Sequence, residues 1–344
     1  MYEYTGVIHC HSDYSDGRAS YDEIIQSARR AGLDYLIMTD HDTLKPLWEG
    51  QEGWYGETFL LIGTEVSPPV NHYLSLGTSQ VPERAWPPQM YIDYTNQAGG
   101  IGFIAHPFDT DNPLLGIPSY DWVDWAVTGY TGLEIWNFMT SWSGLCRDIP
   151  SAARALLRMW QLLPAPFPQA LAKWDELTLS RPVVGIGSVD AHSLRVQFGR
   201  FALTALTHYQ MFCTIRTNLY LTEALAAERG QARRQILAAL RRGHCCIIDA
   251  GHGFAGGFSF RGEVGGRVWQ MGDEVTYCGP AYLTAELPDA AKIVLYRNGQ
   301  AIQSGYGKSL VFTARERGVY RVEAYRAANT VPRPWFISNP IYLR

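Results

Sequence analysis

Nine side chains of metal-ligand type recur through the first 192 residues: His9, His11, Asp16, His41, Glu65, His72, His106, Asp190 and His192. His9 and His11 follow the apolar pair Val7-Ile8. Alternate residues of a strand share a face, so the two imidazoles point one way and Cys10 the other. Asp190 and His192 repeat that spacing, and Asp16 arrives in a turn marked by Gly17. One His-x-His pair is as readily two polar residues on a half-buried strand. The recurrence carries more weight, because His9/His11, His41, Glu65, His106 and Asp190/His192 each stand at or just after the end of an apolar run. In βα architectures such strand ends converge on one site.

Imidazole and carboxylate donors without thiolate suit zinc, manganese or iron better than calcium. Nine ligands exceed one tetrahedral ion and suffice for two or three divalent ions with open positions. A bridging hydroxide is then available near neutral pH, since such metals lower the pKa of bound water to about 7. In-line attack on a phosphate ester, or attack on a carbonyl, is the chemistry this donor set allows.

The elements that must position these groups alternate. Ser20-Tyr21-Asp22-Glu23 reads as a capping box opening a helix that Gly32 stops. Apolar strands are expected at 34–38, 58–62, 73–76, 101–104, 132–136, 182–186 and 245–248. Helices are expected at 89–98, 119–126, 150–163, 169–179 and 231–242. Strand, helix and strand with short connections imply βαβ units and parallel pairing. Beyond residue 251 the texture becomes glycine-rich with short alternating runs, and Asn298-Gly299 marks a hairpin. The chain therefore divides into an α/β region, 1–250, and a small antiparallel β-sandwich, 251–344.

With 344 residues, 47% hydrophobic and 18% charged, the composition is that of a soluble globular protein. A net charge of -4 supplies no basic footprint for duplex nucleic acid or an acidic membrane surface. The first residues lack a secretory pattern, and no apolar run is long enough to span a bilayer. The six cysteines show no framework spacing and read as reduced thiols of a cytoplasmic protein.

The motifs His9-Cys10-His11-Ser12, Thr39-Asp40-His41-Asp42, Glu65 with His72, His106-Pro107 and Asp190-Ala191-His192 resemble those of the PHP (polymerase and histidinol phosphatase) metallohydrolases. The ending Trp335-Phe336-Ile337-Ser338-Asn339-Pro340-Ile341-Tyr342 is similar to the appended β-domain of the carbaryl-hydrolase-like branch. The resemblance implies a distorted seven-stranded βα barrel, TIM-barrel-like, with two or three metals at its mouth. Glu65 would bridge two metals, and His41 and His192 would sit with different ions. Some members carry histidine where Asp16 stands here.

Other residues admit two readings. Asp40 and Asp42 flank His41 as orienting or proton-donating groups, or as turn caps. Arg195 and Arg200 could grip a substrate phosphate, or simply be solvated. His208, His244 and His252 match no motif and read as structural or surface residues. Trp48, Trp54, Trp136, Trp142 and Trp160 could wall a pocket or fill the core. The expected function is a metal-dependent phosphoesterase acting on a small phosphate ester. A carbamate, ester or amide hydrolase using the same site is the alternative, and a metal-stabilised binding protein is a third.

Overall fold

The computed structural model describes residues 1–198, 201–253, 256–326 and 333–344, with only the backbone described at 195–198, 201–203 and 252. The body is a mixed α/β fold. Its strands are β1 (Tyr2–Ile8), β2 (Tyr35–Met38), β3 (Gly53–Tyr55), β4 (Thr58–Val66), β5 (Tyr73–Leu76), β6 (Ile101–Ile104), β7 (Gly132–Asn137) and β8 (Val184–Ser188). A hairpin of β9 (Leu194–Phe198) and β10 (Phe201–Ala205) follows, then β11 (Ile215–Leu221) and β12 (Cys245–Asp249).

Among the helices, α1 (Tyr21–Arg30) carries the expected capping box: Ser20 accepts from the Glu23 amide, and Glu23 accepts from the Ser20 amide. Its buried residues Tyr21, Ile24, Ile25 and Ala28 are spaced at helical intervals and face the core. The remaining body helices are α2 (Lys45–Trp48), α3 (Pro88–Gln97), α4 (Phe138–Ser143), α5 (Ile149–Leu157), α6 (Met159–Leu162), α7 (Pro168–Thr178), α8 (His208–Phe212) and α9 (Arg229–Arg242). The helix expected over 150–163 is two, because Arg158 leaves helical geometry at φ -127°, ψ 30°. The helix expected at 119–126 is absent. That segment is irregular and ends in a turn at 125–126, with the Val123 and Asp124 amides donating to Asn71 and the Asp121 carboxylate accepting from the Asp109 amide.

Pairing runs β1-β2-β4-β5-β6-β7-β8, parallel except at β5, which is antiparallel to both neighbours. The expected distorted seven-stranded βα barrel is not what the pairing shows. Antiparallel β11 occupies the edge of β1 from Tyr2 to Gly6. Near β8, the Thr217 hydroxyl donates to the Gly187 carbonyl and accepts from its amide. Only the end of β1 reaches the β8 side, through a bridge of Cys10 to Ala191 and the His11 amide donating to the Ala191 carbonyl at 2.9 Å. The sheet is therefore open between β8 and most of β1.

Long β4 is the pivot. Every residue of it is buried, and one edge pairs with β2. Its other edge serves β3 over Thr58–Leu60 and then β5 over Gly63–Val66. Gly63 makes that change possible, because a Cβ there would lie 2.4 Å from the Leu76 side chain and 2.8 Å from the Ser75 carbonyl.

The C-terminal strands are β13 (Ser259–Val264), β14 (Arg267–Gln270), β15 (Glu274–Val275), β16 (Ala281–Arg297), β17 (Gln300–Ala314), β18 (Gly318–Tyr325), β19 (Pro334–Ser338) and β20 (Ile341–Leu343). Asn298 and Gly299, at φ 51° and 77°, turn β16 into β17 as the hairpin signal predicts. Antiparallel pairing of β19 with β12 joins these strands to the body sheet. Their apolar core also takes in Tyr220, Cys246 and Ile248 from the body. Buried Asn339 pins the junction: it accepts from the Gly185 amide at 2.8 Å and donates to the Gly185 and Cys245 carbonyls at 2.9 and 2.8 Å. Arg321 pairs with Asp175, and Arg333 with Asp249, across the same boundary.

Asn339→Ala removes the side-chain bonds to three buried backbone groups, leaving the Gly185 carbonyl only a weak thiol contact from Cys245. The expected loss is about 3 kcal/mol, at 1–3 kcal/mol for each stranded group less local relaxation. Urea denaturation checks it, and a loss below about 0.5 kcal/mol would show that the junction is held elsewhere.

Candidate metal centre

Glu65 stands at the hub, wholly buried near the end of β4. Its Oε1 lies 2.9 Å from His72 Nδ1 and 3.2 Å from His106 Nε2. Its Oε2 lies 3.1 Å from His9 Nε2, 3.4 Å from His11 Nε2 and 3.0 Å from His41 Nδ1. Asp190 Oδ1 adds contacts of 3.4 Å to His9 and 3.2 Å to His11. Asp16 Oδ1 closes the outer side, 3.5 Å from His41 and 3.2 Å from His192. Donor atoms gather into three groups: His9, Glu65 and His106; His9, His11 and Asp190; and His11, Asp16, His41 and His192. Eight of the nine expected ligands fall in these groups. His72 reaches Glu65 but joins none of them, its Nε2 lying 2.8 Å from the Pro68 carbonyl.

Backbone strain aims the donors. His9, His106 and Asp190 have φ of 71°, 25° and 54°, a left-handed region that costs non-glycine residues about 1–3 kcal/mol each and gathers at functional sites. Each residue falls just after a strand ends, and each side chain joins the cluster, His9 and His106 against Glu65 and Asp190 against His9 and His11.

The donor set fits divalent ions. His11 is fully buried, yet among the described residues neither ring nitrogen makes a well-aligned hydrogen bond, its Nε2 only lying beside the Asp190 and Glu65 carboxylates. Burial, with the neighbouring His192 and His41 rings, holds His11 well below the usual histidine range, so it stays neutral with a lone pair to give. Burial opposes ionisation of Glu65, but the imidazoles of His9, His41 and His72 outweigh it and hold the carboxyl well below its usual range. Burial likewise disfavours protonation of His41 and His106. The Glu65 charge overcomes it, raising them to about 11 and about 9.

A residue the motifs did not expose orders the site. Glu134, buried in β7, sits 2.6 Å from His9 Nδ1 and accepts from the His106 amide at 2.8 Å and from Asn137 Nδ2 at 3.0 Å. It fixes the Nδ1–H tautomer of His9 and leaves Nε2 facing the cluster. A lone acid inside the apolar run Gly132-Leu133-Glu134-Ile135-Trp136 was the available signal. His192 is oriented in the same way by the Asp190 carbonyl, 2.9 Å from its Nδ1. Buried His208 donates to the His11 carbonyl and accepts from Ser193, a structural tie between the first and last motifs.

Asp40 does not face the cluster. Its oxygens accept from the Ser12 amide and hydroxyl, the Ser15 hydroxyl and the Tyr21 hydroxyl, so it braces the 12–15 loop. Arg200 lies outside the described residues, and only the backbone of Arg195 is described. The described arginines beside the cluster are Arg18 and Arg84, which line a cavity of about 630 Å³ with Glu65, Asp190, His41 and His192. None of the five tryptophans considered as pocket walls lines it. Trp136 and Trp142 are core, and the wall is made by Ile117, Pro118, Tyr120 and Met139. Among the described residues, no helix is long and apolar enough to cross a membrane.

Fold and site together define a cluster of histidine, aspartate and glutamate donors that could hold metal ions at the edge of a cavity. Residues 8–124 match the PHP domain, a stretch that takes in seven of the nine ligand candidates and stops short of Asp190 and His192. Three solved structures are similar to this chain. A two-domain protein of Bacteroides vulgatus containing a PHP-like metal-dependent phosphoesterase is 14% identical, with 98% of this chain and 95% of that chain covered and a TM-score of 0.48. A metal-dependent phosphoesterase of Bifidobacterium adolescentis is 15% identical, covering 60% of this chain and 93% of its own at a TM-score of 0.35. An amidohydrolase of Chromobacterium violaceum, with bound sulfate and no metal, is 15% identical over 54% and 87%, at 0.31. None of the curated proteins matches.

Two outcomes are expected. Metal binding must displace protons from His41 and His106, so affinity rises as pH climbs toward about 9 and protons are released on loading. Calorimetry in buffers of different ionisation enthalpy reads this, and pH-independent binding would contradict it. Glu134→Gln weakens metal affinity about 10–100-fold without unfolding the chain, as loss of an outer-shell partner does. Competition with a chromogenic chelator measures it.

Proposed function

We propose that the protein is a metal-dependent phosphoesterase hydrolysing a small phosphate ester. Two or three divalent ions, zinc, manganese or iron, would be held by His9, His11, Asp16, His41, Glu65, His106, Asp190 and His192, with His72 supporting Glu65. The observation that carries this reading is the open cavity beside the donor groups. A centre built only for stability closes with about four ligands and no open side. Bound ions would supply Lewis acidity toward a phosphoryl oxygen and bring the pKa of water down to about 7.

The chain's own groups do the rest. Arg18 and Arg84 put positive charge beside the cluster, suited to drawing in a phosphate. Glu134 and the Asp190 carbonyl hold the His9 and His192 rings in one orientation. Ile117, Pro118, Tyr120 and Met139 give the non-phosphate part of the substrate an apolar wall, and a cavity of this size takes a small molecule. Residues 1–250 would form the catalytic body, and 251–344 an accessory β-region braced against it.

The test is hydrolysis of p-nitrophenyl phosphate, its bis-ester and a naphthyl carbamate, before and after chelation. Chelator-sensitive phosphate release, abolished by His9→Ala and by Asp190→Ala, is expected. Cleavage of the carbamate alone would replace this reading with the carbamate hydrolase suggested by the carbaryl-hydrolase-like ending. Full phosphatase activity in either variant would refute it.

A further inference from the structure

The cavity is lined by five acids: Asp16, Asp42, Glu65, Asp109 and Asp190. Four of them face cations. Asp16, Glu65 and Asp190 lie against the histidine cluster, and Asp42 lies 3.5 Å from Arg84. Asp109 differs, because among the described residues no histidine, lysine or arginine nitrogen pairs with it. Its carboxylate is fixed all the same. The Thr110 amide donates to Oδ1 at 2.8 Å and the Tyr120 amide to Oδ2 at 3.2 Å, while the Asp109 amide donates to Asp121 at 2.5 Å. The group is thus held in the loop after His106-Pro107, half-buried beside the ligands, with no ion-pair partner among the described residues.

We propose that Asp109 is the proton donor to the departing alcohol of the ester. The inference rests on the phosphoesterase reading above. Water adds to phosphorus as the ester P–O bond breaks. The electron pair of that bond goes to the ester oxygen, which takes the Asp109 proton and leaves as the alcohol. The attacking water keeps one proton on the new phosphate and gives the other to solvent, and solvent returns one to Asp109. Burial favours the role, pushing the Asp109 carboxyl above the usual aspartate range, although nearby His106 and the two amide bonds partly offset the rise. An unaided alkoxide is a poor leaving group, whereas p-nitrophenolate departs without a proton.

The experiment compares β-glycerol phosphate with p-nitrophenyl phosphate in the metal-loaded wild type and Asp109→Asn, alongside elemental analysis and melting temperature. The expected result is a fall of about 100-fold or more in kcat for glycerol phosphate and less than about threefold for p-nitrophenyl phosphate, since general acids contribute 10²–10⁴-fold where a proton is needed. Metal content and melting temperature stay unchanged. Equal losses on both substrates would overturn the assignment, as would loss of metal, which would make Asp109 a ligand. Asp121→Ala removes the acceptor of the Asp109 amide and so loosens the same loop while keeping the acid, and is expected to affect both substrates in equal proportion. A selective loss in that variant would show that loop order, not the proton, sets the difference. A wild type that releases phosphate from neither substrate would refute the phosphoesterase reading itself, and the proposal with it.

Discussion

The structure depends on one buried charge. Glu65 is wholly enclosed, and an isolated carboxylate in such a place would cost many kcal/mol or take up a proton. Five histidines within 3.4 Å of its oxygens make its ionised form tenable. The same argument runs in reverse, because the histidines crowd one another. His11 stacks between His41 and His192 with ring centroids 4.2 and 4.1 Å apart. Neither set of groups is comfortable without the other, and positive ions among them satisfy both. The ligand cluster is thus a constraint on the fold as well as a site within it.

That constraint accounts for features that otherwise look costly. Left-handed backbone at His9, His106 and Asp190 is tolerated because surrounding bonds over-determine each turn: the His106 amide is held by Glu134, and the Ala191 carbonyl by the His11 amide. The reversal of β5 and the switch of partners along β4 at Gly63 bring His72 and Glu65 together. Asp40 and His208 work one layer out, bracing the first motif against α1 and against the last motif. The C-terminal strands stiffen the opposite side of the body through Asn339, Arg321 and Arg333.

Much of this was legible in the sequence, for definable reasons. Strands such as Tyr35–Met38 and Ile101–Ile104 are continuous apolar runs, and a ligand candidate follows the end of each within three residues. The cap at Ser20 and the Asn298-Gly299 turn are local chemistry and need no tertiary knowledge. The gathering of the histidine and carboxylate side chains was readable because strand ends converge. Features set by distant partners were hidden. The 119–126 segment has helical texture, but its amides at Tyr120 and Val123 are taken by Asp109 and Asn71 instead of by helix carbonyls. Barrel closure was expected from the family likeness, yet β11, which periodicity did not reveal, takes the edge of β1. Glu134 looked like one acid in an apolar strand, and its bond to His9 spans 125 residues of sequence separation.

The measurement that bears most directly on this account is the metal content of the purified protein, counted by elemental analysis for the wild type and for Glu65→Gln. The account predicts two or three divalent ions per wild-type chain and a loss of at least one when the hub carboxylate becomes an amide. Wild-type protein that binds no divalent ion after dialysis against zinc, manganese and iron, or a Glu65→Gln variant that keeps the full complement, would contradict it.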